Sequence, residues 1–185
     1  MSPSSQVRTS KTSKIAAAVA GLLLAGWGAN GLAAQDKYTL KVPDGLALSE
    51  FKGYETWAPV AVSQTKESLK VISANPEMIK AYQSGLPAAG KKFPDGSKVV
   101  KIEWGLKENK ESPYFVMVPD QLKSVAVILK DTKRFPKTNG WAYAVFKWDA
   151  ASGGLKPDGK GPECGYMCHS RVAAKYYIFT AYPAR

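Results

Sequence analysis

Sulfur and imidazole are scarce in this chain. Its 185 residues hold two cysteines, Cys164 and Cys168, and one histidine, His169. A structural zinc site takes four protein ligands, mostly Cys and His, and the chain supplies only three such residues. Iron held between two histidines of the same chain is excluded outright. No acidic residue offsets Arg8, Lys11 and Lys14 within the first 34 positions. The apolar block Ile15–Trp27 is thirteen residues long, short of the about 20 that a membrane-spanning helix needs. There is no internal repeat and no low-complexity tract. The formal charge of +11 is spread along the chain, with no helix-turn-helix, finger or RNA-binding signature, so nucleic acid is not an expected partner.

What is present at the start is ordered. A basic head, "MSPSSQVRTSKTSK", precedes "IAAAVAGLLLAGW" and then the small residues of "NGLAAQ". This is the three-part order of a secretory signal. Residues 1–34 are expected to be removed after Ala33 or Ala34, leaving no membrane association. No cysteine near the cut offers a lipid attachment point, and no arginine pair marks the twin-arginine route. Cleavage leaves 185 − 34 = 151 residues with a charge of 11 − 3 = +8. That length suits one domain, residues 35–185, exported to the periplasm.

The mature chain reads as short β-type runs: "ETWAPVAVS", "LKVIS", "KVVKIEW", "YFVMV", "SVAVILK" and "WAYAVFKW". Each is rich in β-branched or aromatic residues and bounded by turn residues. In "KVVKIEW", Val100, Ile102 and Trp104 share one face, and Val99, Lys101 and Glu103 share the other. The connections are too short for repeated crossover helices, so the fold class is α+β, mainly antiparallel sheet with a few packed helices. "NPEMIKAYQSG" predicts a helix capped by Asn75, with Pro76 at its first position and Gly85 as terminator. A second helix is predicted from Cys164 through "HSRVAAK", after a loop "DAASGGLKPDGKGPE".

All the thiol and imidazole lies in "CGYMCH", Cys164 to His169. The cluster is read as the attachment sequence of c-type haem, C-x-x-C-H. Two neighbouring thiols form thioethers with the porphyrin vinyl groups, and the adjacent imidazole binds the iron through a neutral ring nitrogen. A plain disulfide leaves His169 as coincidence, and a thioredoxin-like C-x-x-C belongs in a βαβ unit. Cys164, Cys168 and His169 are therefore the candidate haem residues, with His169 the metal ligand. Beyond the signal segment the methionines are Met78, Met117 and Met167; core filling is the commoner use of methionine. Met78 and Met117 stay the alternatives for a sixth ligand, and five-coordinate iron with an open distal position, which suits small-molecule binding, is the expected state. Trp104, Phe115 and Trp141 are candidates for lining the cavity.

From Tyr54 onward the chain resembles the cytochrome P-460 family. "YETWAPVAVS" and "LKVISANP" are similar to its opening strands, and "FPDGSKVVKIEW" to its P-D-G element. "KDTKRFPKTNGWAYAVF" resembles its K-D-x-K-R segment and the strand after it, and "CGYMCH" and "YYIFTAY" close the match. The resemblance implies a periplasmic, β-rich haem c protein, often a homodimer, with a covalently attached haem. In the catalytic branch a lysine amine is also joined to the porphyrin rim, and the P-D-G element places that lysine at Lys101. That branch oxidises hydroxylamine, passing electrons to an outside acceptor, with a distal carboxylate taking protons. Ala126 stands at the position aligned with that carboxylate, and Glu103 is a candidate substitute. An apolar distal wall is more like the sister group, cytochrome c′-beta, which binds nitric oxide and carbon monoxide. The resemblance thus implies either a hydroxylamine-oxidising enzyme or a gas-binding or electron-relay protein.

Overall fold

Strand alternation decides which side of the sheet carries the chemistry. Val100 packs in one buried cluster together with Val125, Val127, Ala142 and Phe146. Val99, Trp141 and Tyr143 belong to a second cluster on the opposite face. The computed structural model describes residues 36–87 and 91–185; the expected signal segment, residues 1–34, lies outside the described residues. Six strands, β1 (Ala58–Gln64), β2 (Ser68–Ala74), β3 (Lys98–Glu108), β4 (Met117–Lys130), β5 (Trp141–Asp149) and β6 (Gly154–Asp158), form one sheet in chain order. Every neighbouring pair is antiparallel. The α+β reading with a dominant antiparallel sheet is what the structure shows.

Each face has its own cover. The first is covered by the N-terminal segment, through Val42, Leu46, Leu48 and Phe51. The second is covered by α1 (Pro76–Gln83), whose Met78 and Tyr82 are buried, and by Ile178 near the C-terminus. Burial of side chains of this size contributes about 1.5–3 kcal/mol each. The capping reading of α1 holds: Asn75 Oδ1 accepts from Met78 N at 3.2 Å. The same oxygen accepts from Lys98 N at 2.9 Å, and Asn75 Nδ2 donates to Gly96 O at 2.8 Å. One side chain thus fixes the helix start and the start of β3.

Three sequence expectations need correction. "YFVMV" is not a strand of its own: β4 begins at Met117 and runs without a break through "SVAVILK". It tolerates Pro119 because β5 pairs only with Ser124–Lys130, so the Pro119 end has β3 alone as neighbour. The predicted loop after β5 contains β6, an edge strand that buries Leu155 and accommodates Pro157 because only one side is paired. The C-terminal helix starts later and is shorter than predicted. α2 spans only Tyr166–His169, and a 3₁₀ segment, Ser170–Lys175, follows with a break at Val172.

The P-D-G and K-D-x-K-R elements are partners in space. Thr132 donates to Asp95 through its hydroxyl at 2.6 Å and its N–H at 3.0 Å. These bonds hold the Asp95 carboxyl below its usual range, the hydroxyl contributing most. Gly96 N donates to Lys130 O at 2.8 Å, and Lys130 N to Ser97 O at 2.9 Å. Together they set the β3–β4 register, in which Lys101 faces Ala126.

Arg134 of the same segment reaches back to the N-terminal cover, its Nη1 lying 2.6 Å from Glu50 Oε2. Burial alone would raise the Glu50 carboxyl. The Arg134 hydrogen bond, the Ala47 N–H and the charges of Arg134 and Lys98 outweigh it and lower the value. A carboxyl lowered on folding stabilises above its unfolded pKa, about 4.3, and that contribution fades as pH falls through the folded value. Glu50→Gln is therefore expected to lose about 1 kcal/mol at neutral pH, allowing for solvent screening. The difference from wild type should shrink below about pH 4, as read from urea midpoints across the pH range.

Candidate functional site

The haem-motif residues are held by β5. Tyr143 N donates to Pro162 O at 2.8 Å, and Tyr143 and Glu163 form an isolated parallel bridge. Cys164 follows in a turn, Gly165 precedes α2, and Cys168 and His169 lie in its single turn. Three residues, Gly165, Tyr166 and Met167, separate the thiols, one more than in C-x-x-C-H. The extra residue corrects the expectation that both thiols share a helix's first turn: Cys164 stands ahead of the helix. Neither thiol is in a disulfide. Burial pushes the Cys164 thiol up, and Asp158 and Cys168 act in the same direction.

Gly165 is required by contact. A Cβ there would come within 2.8 Å of the Tyr143 ring. That ring lies 4.7 Å from the His169 ring, centroid to centroid. Gly165→Ala is therefore expected to push Tyr143 against His169 and to cost about 1–3 kcal/mol by overpacking. Thermal unfolding of the haem-loaded protein, together with its absorption spectrum, checks both effects.

His169 is oriented by an unusual turn. Tyr176 and Tyr177 both have positive φ, 53° and 68°, a conformation that is rare for residues other than glycine and that clusters at functional sites. The turn brings Tyr177 O to 2.6 Å from His169 Nδ1. A carbonyl can only accept, so Nδ1 carries the proton and Nε2 keeps its lone pair for a metal. Burial lowers the His169 pKa more than the Tyr177 bond raises it, and the Lys101 charge lowers it further. The neutral, ligating form is favoured.

These side chains open onto a cavity of about 490 Å³ on the second face of the sheet. That volume is within the roughly 300–1,000 Å³ typical of cofactor sites. Cys164, Cys168, His169 and Lys101 all line it. The rest of the lining is mostly apolar, Ile72, Val99, Ala126, Ile128 and Val145 among it, with Ser63, Lys70 and Thr180 the polar exceptions. No methionine and no carboxylate lines it among the described residues. Met78 is fully buried beneath α1, and Met167 is 81% exposed. The buried Tyr143 hydroxyl has no hydrogen-bond partner. Two free thiols, an imidazole with its proton fixed on Nδ1, mostly apolar walls and an unpartnered hydroxyl together fit a haem.

The three tryptophan and phenylalanine candidates do not line this cavity. Trp104 alternates onto the other face, Phe115 is 79% exposed, and Trp141 lines a neighbouring pocket. Small hydrophobic pockets are filled by whatever the register presents, and here that is Tyr143 and Phe179. Phe179 meets His169 edge-on at 4.9 Å. Tyr143 was legible in the alternation of Trp141, Tyr143 and Val145; Phe179 and the Tyr176–Tyr177 turn carry no sequence signal. Glu103 is also outside the cavity wall. It pairs with Lys70 at 3.5 Å, and Lys70 itself lines the cavity. Burial pushes the Glu103 carboxyl up, but the Ser68 hydrogen bond and the charges of Lys70 and Lys101 hold it lower than usual.

An antiparallel sheet carrying a late Cys/His cluster and one apolar cavity defines a haem protein of the β-rich kind rather than a helical cytochrome. The cytochrome P460 family profile matches residues 51–180, which is most of the chain. The chain belongs to the cytochrome P460 family. No curated protein matches it.

Proposed function

We propose that the protein is a periplasmic c-type haem protein that binds a small nitrogen compound at five-coordinate iron and oxidises it, hydroxylamine being the simplest candidate. Residues 1–34 act as its cleaved export signal. The observation that carries the reading is the presence of Lys101 in the same cavity as Cys164, Cys168 and His169. In this reading Cys164 and Cys168 would hold the haem through thioethers, His169 Nε2 would ligate the iron, and the Lys101 amine would be joined to the porphyrin rim. Haem, when bound, would supply the redox-active iron, and the electrons would go to a periplasmic acceptor.

The chain's own part is to orient and to move protons. Tyr177 O holds the Nδ1 proton and so keeps the imidazole turned correctly. The apolar walls exclude water and admit small uncharged ligands. A base is needed to take protons from a nitrogen substrate. Glu103, ionised at neutral pH, is the carboxylate nearest in register to Lys101, two residues along the same face. Its pairing with Lys70 places it at the cavity's edge rather than in its wall.

A second reading has an observation of its own. Ala126 faces Lys101 across the β3–β4 pair, at the position aligned with the distal carboxylate of the oxidising branch. A wall without that acid suits reversible binding of nitric oxide or carbon monoxide. Incubation of fully haem-loaded protein with hydroxylamine and an electron-accepting dye separates the two. Hydroxylamine consumption with dye reduction is expected; nitric oxide binding without any consumption would overturn oxidation in favour of the second reading.

A further inference from the structure

One row along the sheet from the haem cavity is a second, smaller cavity of about 370 Å³. The two share a face: Ile128 and Tyr143 line the first, and the next alternating residues, Lys130 and Trp141, line the second. Lys130 is only 4% exposed. Its ammonium donates to Asn139 O at 2.6 Å and lies 5.4 Å from the centre of the Trp141 ring. An ammonium has three donors, and the carbonyl takes one.

No carboxylate forms an ion pair with Lys130 among the described residues. The adjacent acid, Asp95, is committed to Thr132. A buried cation without a counter-charge is costly. A neutral donor such as glutamine would serve the Asn139 carbonyl as well. Gly140 keeps the surroundings open, since a Cβ there would lie 2.5 Å from Lys130 Nζ. A second cation, the exposed Lys92, lines the same cavity, and Tyr176 completes an aromatic wall with Trp141. Burial lowers the Lys130 pKa, Lys92 lowers it further, and only Asp95 opposes them. Among the described residues no carboxylate lines this cavity, which has room for one.

We propose that this second cavity binds a small carboxylate or oxyanion, held by the Lys130 ammonium with Lys92 at its mouth. The anion has two possible sources of the same chemistry: a free solute, or a carboxylate side chain of the porphyrin in the neighbouring cavity. The site does not depend on what the haem oxidises.

Calorimetric titration of the haem-loaded protein with acetate, and separately with inorganic phosphate, tests the free source. Saturable one-site binding is expected for at least one of them, weakened tenfold or more in Lys130→Met. Lys92→Ser, an exposed change that cannot unfold the core, should weaken it several-fold. If the porphyrin supplies the carboxylate, the titration is silent, and the carboxylate-bending bands in the resonance Raman spectrum shift in Lys130→Met. A silent titration with unshifted bands overturns the proposal, as does equal affinity in wild type and Lys130→Met. Should Lys130→Met fail to fold, unchanged binding and unchanged bands in Lys92→Ser overturn it.

Discussion

His169→Ala is expected to yield almost no haem-loaded protein when produced in a periplasm with haem supplied. The absorbance of the haem relative to that of the polypeptide measures this directly. The physical reason is that one imidazole, with its tautomer set by Tyr177 O at 2.6 Å, is the only histidine the chain possesses. Loss of a supporting hydrogen bond alone typically costs 10–100-fold in metal affinity, so loss of the ligand itself should cost more. Cys168→Ser and Cys164→Ser are expected to differ in degree. Each leaves one thioether at most, but Cys168 sits in α2 beside His169, whereas Cys164 stands in the preceding turn. The helical thiol should therefore matter more for haem yield.

Lys101→Met carries the second large effect. If the amine is joined to the porphyrin, wild-type protein should show a strongly red-shifted ferrous band, and the variant an ordinary c-type spectrum. Digestion adds a chemical readout: in wild type the Lys101 peptide stays with the haem peptide, and in the variant it separates. Lys101 stands between Ile72 and Ala126 in register and lines the same cavity as Cys164, Cys168 and His169. An ordinary spectrum in wild type, with a free Lys101 peptide, would leave the gas-binding reading in its place.

How much of this was legible in the sequence varies by element. α1 was, because Asn75, Pro76 and Gly85 are local signals that the tertiary structure reinforces through Gly96 and Lys98. The sheet face bearing Lys101 followed from alternation in β3. Its cross-strand neighbour did not: the Lys101–Ala126 pairing depends on Asp95 meeting Thr132, 37 residues away in sequence. β6 carries a loop-like sequence because Gly154 and Pro157 are poor strand formers, and only an unpaired edge makes them acceptable. The haem segment was legible as chemistry but not as shape. The third residue between the thiols can be counted in the sequence, but the start of the helix only at Tyr166 and the two left-handed tyrosines beyond the histidine are announced by no periodicity. Lys130 gave no signal either, since a lysine ending a strand is ordinarily solvated.

The measurement that bears most directly on the whole account is the mass of the peptide spanning Cys164 to His169, taken from protein exported and matured with haem. The expected result is one porphyrin carried by that peptide, bound through both sulfurs. A colourless protein whose peptide shows Cys164 and Cys168 oxidised to each other would contradict it.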